Sequence, residues 1–205
     1  MRAPLFLLAL LSALCACSGL QASKPVLSVD QTQHDATSSL EALTLCAGEW
    51  HVIQDSEAPS GGHALAQVAQ GVSADFNLVL LADSMLQDVD VAVSMRSVAG
   101  EIDQGGGIVW RAQDARNYYV ARYNPLEDNY RVYTVVDGVR TQLKSTKVEH
   151  SGGWHRLRIT MSEDLIHCYY DGELALEVTD STFAEAGKLG LWTKADAQTL
   201  FNSFE

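Results

Sequence analysis

DQGGGIVWRAQDARNYYVARYNPLEDNYRVY, residues Asp103–Tyr133, reads as three consecutive β-strands over residues 105–112, 117–124 and 129–136. Each carries an arginine beside aromatic or amide residues. Side chains alternate between the two faces of a strand. Val109 and Arg111 therefore share a side in the first, and Tyr118, Val120, Arg122 and Asn124 in the second. Asn129, Arg131 and Tyr133 share a side in the third. A structural sheet needs apolar residues on one face only. Repeated Arg, Tyr and Asn on the other suits a polar, ring-shaped ligand, because aromatic faces stack on sugar rings while Arg and Asn hydrogen-bond their hydroxyls. The alternative is a solvated face of cross-strand ion pairs.

Working outward, the same two-residue period persists. Val89, Val91, Val93 and Met95 alternate with Asp90, Ala92, Ser94 and Arg96, and Leu157, Ile159 and Met161 alternate with Arg156, Arg158 and Thr160. This is the pattern of half-buried antiparallel strands. Turn signals punctuate it at Pro59–Gly62, Asp137-Gly138, Ser151–Gly153 and Asp171-Gly172. Further strands are expected around residues 49–54, 64–69, 77–82, 88–98, 139–144, 154–162, 165–170, 173–178, 188–193 and 199–205. Near the end, Gly190, Trp192 and Lys194 share a side and extend the candidate ligand face. Only Thr182 to Ala186 reads as a helical turn, stopped by Gly187. Many short strands without a long amphipathic helix predict an all-β fold, a two-sheet sandwich or a closed barrel. Gly105-Gly106-Gly107 precedes a strand, so it is no phosphate loop.

The chain opens with MRAPLFLLALLSALCAC, where Arg2 and the apolar run Leu5–Leu14 form an export signal too short to span a membrane. Leu14-Cys15-Ala16-Cys17 resembles the bacterial lipobox, which implies lipidation of Cys17 and a mature chain starting there. Ser18 in the next position resembles outer-membrane sorting. The expectation is an exported lipoprotein touching the membrane through its lipid alone. Residues 1–16 are then the signal peptide, 17–47 a flexible tether without aromatic residues before its end, and 48–205 the folded domain. Within the tether, Ser38 to Leu45 is a candidate short helix.

The formal net charge is -12, and it becomes -13 once Arg2 is removed with the signal. So acidic a chain argues against a nucleic-acid partner and leaves the clustered arginines as local exceptions. Cys46 and Cys168 remain after processing. An oxidising compartment permits their disulfide, but Cys168 sits in step with Ile166 and Tyr170 and equally reads as a small core residue. The four-ligand Cys/His spacing of a zinc site is missing, so no metal is assigned. The loop acids Glu127, Asp128, Asp171, Asp180 and Asp196 leave a structural calcium open without favouring it, and no other cofactor is expected.

Several blocks look familiar together: DQGGGIVWR (103–111), NYYVAR (117–122), WHRLR (154–158), Asp171-Gly172 and GKLGLWTKAD (187–196). They resemble bacterial exported concanavalin A-like jelly-roll domains, and more narrowly the 3-keto-disaccharide hydrolase-like group. The resemblance covers roughly residues 63–205 and implies a two-sheet antiparallel jelly-roll sandwich. It also sets two departures in view. Such domains usually begin with a strand well before the first Trp, whereas little precedes Trp50. Their closing strand often carries two acids after an aromatic, where this chain has Phe201, Asn202 and Ser203.

The fold hosts binding modules and enzymes alike. The leading reading is a lipid-anchored envelope protein that binds a carbohydrate or glycoside in a concave groove lined by Arg111, Tyr118, Arg122, Asn129, Arg131, Trp192 and Lys194. An enzyme of the resembled group would need a base beside the ketone, with Asp103 or Asp196 as candidates. A third reading is a non-catalytic envelope interaction module. Glu101-Ile102-Asp103 is similar to the start of the E-x-D-x-x-E motif of family 16 glycosidases, but Gly106 occupies the position of the third acid. Asp103 is alternatively an ion partner of a nearby arginine.

Overall fold

Two seven-stranded antiparallel sheets pack face to face in the computed structural model, which describes residues 42–205. The signal peptide, Cys17 and most of the expected tether lie outside the described residues. The strands are β1 Leu43–Ala47, β2 Trp50–Gln54, β3 His63–Gln67, β4 Phe76–Leu81, β5 Val89–Ala99, β6 Gly106–Asp114 and β7 Asn117–Asn124. They continue with β8 Asn129–Val136, β9 Val139–Lys147, β10 His155–Ser162, β11 Leu165–Tyr170, β12 Glu173–Thr179, β13 Lys188–Lys194 and β14 Gln198–Asn202. Sheet A has the order β1-β4-β13-β6-β7-β8-β9, and sheet B has β12-β11-β10-β5-β14-β3-β2. The expected two-sheet jelly-roll sandwich is the observed fold.

The core follows from the alternation. Val89, Val91, Val93 and Met95 of β5 meet Ile108 and Trp110 of β6, Tyr119 and Ala121 of β7, and Leu157 and Ile159 of β10 in one apolar layer. Trp110 stacks on Tyr119 with ring centroids 5.4 Å apart and is fully buried, and truncating such a residue costs about 3–5 kcal/mol. The opposite face of sheet A carries a second apolar cluster, made by Leu78, Leu80, Val109, Tyr118, Val120, Tyr133, Val135 and Trp192.

Two expectations are corrected, and one pairing left open is decided. Leu43–Ala47 is neither tether nor helix: β1 pairs with β4, Leu43 opposite Leu81, so the domain starts before residue 48. Thr182 to Ala186 forms no helical turn. Its backbone groups are taken by other partners: Phe183 donates its N–H to the Tyr119 hydroxyl and its carbonyl accepts from Arg111, while the Ala184 and Ala186 carbonyls accept from Gln87 and Gln113. Finally, Cys46 and Cys168 are free thiols on opposite sides of sheet A, Cys168 in the inter-sheet core and Cys46 against the outer cluster, so the pair is not bridged.

Candidate functional site

The outer face of sheet A is assembled row by row from the register. Trp192 lies opposite Gly107, Gly107 opposite Arg122, Arg122 opposite Arg131, and Arg131 opposite Ser145. Sequence alternation thus places Arg122, Arg131, Trp192 and Lys194 on one face, as the spacing requires.

That face is concave. Four strand spacings separate β9 from β13, or ~19 Å on a flat sheet. Yet the guanidinium carbon of Arg140 on β9 lies 5.6 Å from the Trp192 ring centre on β13, and 5.5 Å from that of Phe76 on β4. Only a sheet curled toward this side brings its edge strand over those rings. Arg140 also lies 4.3 Å over Tyr133. Beneath it, Trp192 Nε1 donates to the Tyr118 hydroxyl at 3.1 Å, and Phe76 packs on Trp192 at 5.2 Å. Tyr118 and Trp192 are fully buried, so neither presents an open ring face, contrary to their expected role as stacking platforms. Burial also pushes the Tyr118 hydroxyl up to about 12.

Beside the rings lies a charged cluster. Arg122 is 1% exposed and shares its Nη2 between Asp103 Oδ2 at 3.3 Å and Glu127 Oε2 at 3.1 Å, while Nη1 reaches the Tyr133 hydroxyl at 3.3 Å. Glu127 also accepts from Arg131 Nη1 and Asn129 Nδ2, each at 3.0 Å. Asp103 Oδ1 accepts from the Gly105 N–H at 2.7 Å and from Asn124 Nδ2 at 3.3 Å. Residue 105 must be glycine here, because a Cβ would sit 2.4 Å from Arg122 Nε. Burial raises the Asp103 pKa, and Arg122 and the Gly105 N–H only partly offset it. Glu127 is also pushed up by burial, but Asn129, Arg122 and Arg131 outweigh this and hold it below the usual carboxylate value.

Two expected roles change. Asp103 is 2% exposed, which seals it from any ligand. Asp196 spends its carboxylate on the backbone N–H groups of Glu101, Ile102 and Asp103 at 2.7–3.1 Å. Partial burial opposes these bonds, but they hold its pKa below the ordinary value. Asp196 is thus the clamp that sets the 101–103 loop, and neither acid is placed as a general base.

Arg111 leaves the face altogether. It adopts φ 47° in a bulge where β6 slips register against β7 and β13, which ends the alternation that linked it to Val109. Its guanidinium donates to the carbonyls of Gln87, Glu163 and Phe183 at 2.6–2.8 Å, joining three loops. Gly187 abuts this bulge so closely that a Cβ would lie 2.3 Å from the Arg111 carbonyl carbon. Asn129, 5% exposed, supports Glu127 instead of facing outward. Of the expected ligand-facing residues, Arg131 and Lys194 keep partial exposure; Lys194 Nζ reaches Ser73 Oγ at 3.4 Å.

Arg140 and Phe76 join this face without having been singled out from sequence. Val139-Arg140-Thr141 carries no aromatic signal, and only the curl reveals Arg140's partners. Asn202, standing where the resembled domains often carry an acid, closes the loop before β3 through the carbonyls of Ser60 and His63, both at 2.8 Å. Where the start of β10 meets the β11–β12 turn, His155 joins Asp171 at 2.8 Å and Ser151 at 3.3 Å, and Asp171 also caps the Arg156 N–H. Two recesses of about 290 and 330 Å³ open on the outer face of sheet B, not sheet A. In the first, Arg158 is already held in a fork by Asp90, and Arg156 by Ser203 and Glu205.

No protein-family model matches the chain, and no curated protein sequence does. Solved structures do resemble it. The carbohydrate-binding module CBM66 from Bacillus subtilis superposes with a TM-score of 0.66 at 20% identity, over 80% of this chain and 93% of that one. A Bacillus subtilis protein of unknown function with a galectin-like fold gives 0.60 at 11%, over 85% and 90%. The GH43 protein BlXynB from Bacillus licheniformis gives 0.59 at 15%, over 80% of this chain but 36% of that one. At these identities the likeness is one of fold alone, a two-sheet antiparallel jelly-roll sandwich.

Proposed function

We propose that this domain binds a carbohydrate or related polyhydroxylated ligand on the concave face of sheet A. The observation that carries this is the curl that gathers Phe76, Arg131, Arg140 and Lys194, all partly exposed, around one hollow from strands β4, β8, β9 and β13. An apolar edge beside fixed cationic donors suits a sugar ring, whose hydroxyls accept from guanidinium and ammonium groups. The likeness to a carbohydrate-binding module supports the same reading. Hydrolysis of a 3-keto glycoside would need a free base near this hollow, and the engagement of Asp103 and Asp196 favours binding over turnover. The lipid on Cys17 and the residues behind it would hold the domain at the envelope membrane, probing glycans within reach of the tether.

The test is a panel of glycans, native and 3-keto, scored by thermal shift, since a ligand of the folded state raises the melting temperature. Arg131→Ala and Lys194→Ala each remove one exposed donor and should weaken binding about 5- to 10-fold. Binding that survives both but disappears in Tyr169→Ala would move the site to the recess on sheet B. Release of free sugar from 3-keto glycosides would establish the enzyme instead.

A further inference from the structure

Of the eight arginines among the described residues, seven make hydrogen bonds or ion pairs: Arg96, Arg111, Arg116, Arg122, Arg131, Arg156 and Arg158. Arg140 is the exception. Among the described residues its contacts are with rings, Tyr133 at 4.3 Å, Phe76 at 5.5 Å and Trp192 at 5.6 Å, and its Nη1 is buried without a partner. A chain with 26 Asp and Glu residues against 14 Lys and Arg has acids to spare, yet none is paired with this guanidinium among the described residues. A buried donor left without a partner is costly. Stacking on three rings offsets part of that cost. It also fixes the plane of the guanidinium.

On that basis we infer that the hollow takes a sugar bearing an anionic substituent, a carboxylate or a sulfate, with Arg140 as the anion's partner. This rests on the carbohydrate reading above and narrows it to acidic sugars. The fork of Arg140 matches two oxygens of one anionic group. The surroundings permit it: Arg122 and Arg131 together pair with Asp103 and Glu127, which leaves the charges of Arg140 and Lys194 unmatched by any ion pair among the described residues. The acidic charge of the whole chain acts at longer range and is screened beyond about 8 Å at physiological salt.

The experiment uses the full mature chain with three oligosaccharide series matched in length: neutral, uronate-containing and sulfated. Calorimetric affinities are measured for wild type, Arg140→Ala and Arg140→Lys, with melting curves confirming that each variant is folded. Wild type should bind an anionic series about 10- to 100-fold more tightly than the neutral one, and Arg140→Ala should erase that difference by weakening the anionic series far more than the neutral one. Arg140→Lys should keep the charge and lose most of the advantage, because an ammonium lacks the fork. Whichever anionic series gains identifies the substituent. Equal binding of all three series, or an anionic preference that survives Arg140→Ala, overturns the inference while the carbohydrate reading stands. Binding of none of the three overturns both.

Discussion

Replacing Arg122 by Met tests whether the charged cluster is a piece of the fold. The substitution keeps much of the side-chain volume and removes the charge from a site 1% exposed. Asp103, its side chain 3% exposed, would keep only the Gly105 N–H and the Asn124 amide as partners. Breaking a buried ion pair from one side costs about 3–5 kcal/mol. Glu127 adds little to this figure, because its side chain is 42% exposed and screened. For a domain of this size each kcal/mol moves the melting temperature by about 2–4 °C, so the expected drop is roughly 6–20 °C at neutral pH. The pH dependence has a definite sign. A carboxyl whose folded pKa is raised favours the fold when protonated, and that contribution is lost as pH rises through the folded value. Burial already raises Asp103, and losing Arg122 raises it further. The deficit of Arg122→Met should therefore shrink as pH falls from neutral toward the ordinary carboxyl value near 3.8. Adding Asp103→Asn in the Arg122→Met background should restore about 2 kcal/mol at pH 7. Thermal melts of the four species at two pH values complete the cycle. Additivity within about 0.5 kcal/mol, or a deficit independent of pH, would refute the pairing as the source of stability.

Gly105→Ala forces a Cβ to within 2.4 Å of Arg122 Nε and 2.9 Å of Asp103 Oδ1, so denaturant unfolding should show a loss of about 1–3 kcal/mol; a neutral result would mean the loop tolerates a shift. Alkylation without reductant should modify Cys168 only after unfolding, because the thiol is fully buried and burial raises its pKa, and reduction should leave electrophoretic mobility unchanged. Cys17→Ser should abolish palmitate labelling in a bacterial host and release the protein from the membrane fraction; unchanged labelling would place the lipid elsewhere or nowhere.

Legibility of the fold in the sequence tracked the reach of the interactions involved. Val89 to Met95 and Leu157 to Met161 revealed their strands because burial on one face imposes a period of two on nearby residues. Leu43–Ala47 carried too few residues for that period to show, and its strand is fixed by pairing with β4, far along the chain. Arg111 leaves the face because the register slips at this bulge and the alternation ends, and nothing in Trp110-Arg111-Ala112 announces a residue with positive φ. The disulfide between Cys46 and Cys168 stayed open in the sequence because spacing is silent about which side of a sheet each cysteine occupies. Arg140 was invisible for the converse reason: its partners come from β4, β8 and β13, and the curl of the sheet is a collective property of all seven strands.

These contrasts separate two kinds of arginine on the same sheet, and the separation governs how binding should be tested. Arg111 and Arg122 are sealed: Arg111 donates to three carbonyls, and Arg122 engages two carboxylates and a tyrosine through Nη1 and Nη2. Loss of ligand binding on truncating either one would report a disturbed fold as readily as a lost contact. Arg131 keeps about a third of its side chain exposed, at 29%, and Arg140, partly exposed above the rings, has an Nη1 without a partner among the described residues. Their removal deprives the fold of little and a ligand of much. If a glycan loses affinity with Arg131→Ala or Arg140→Ala at an unchanged melting temperature, the hollow is a binding site. If affinity falls only in variants that also melt early, the arginines of this sheet are structural throughout and the ligand face lies elsewhere.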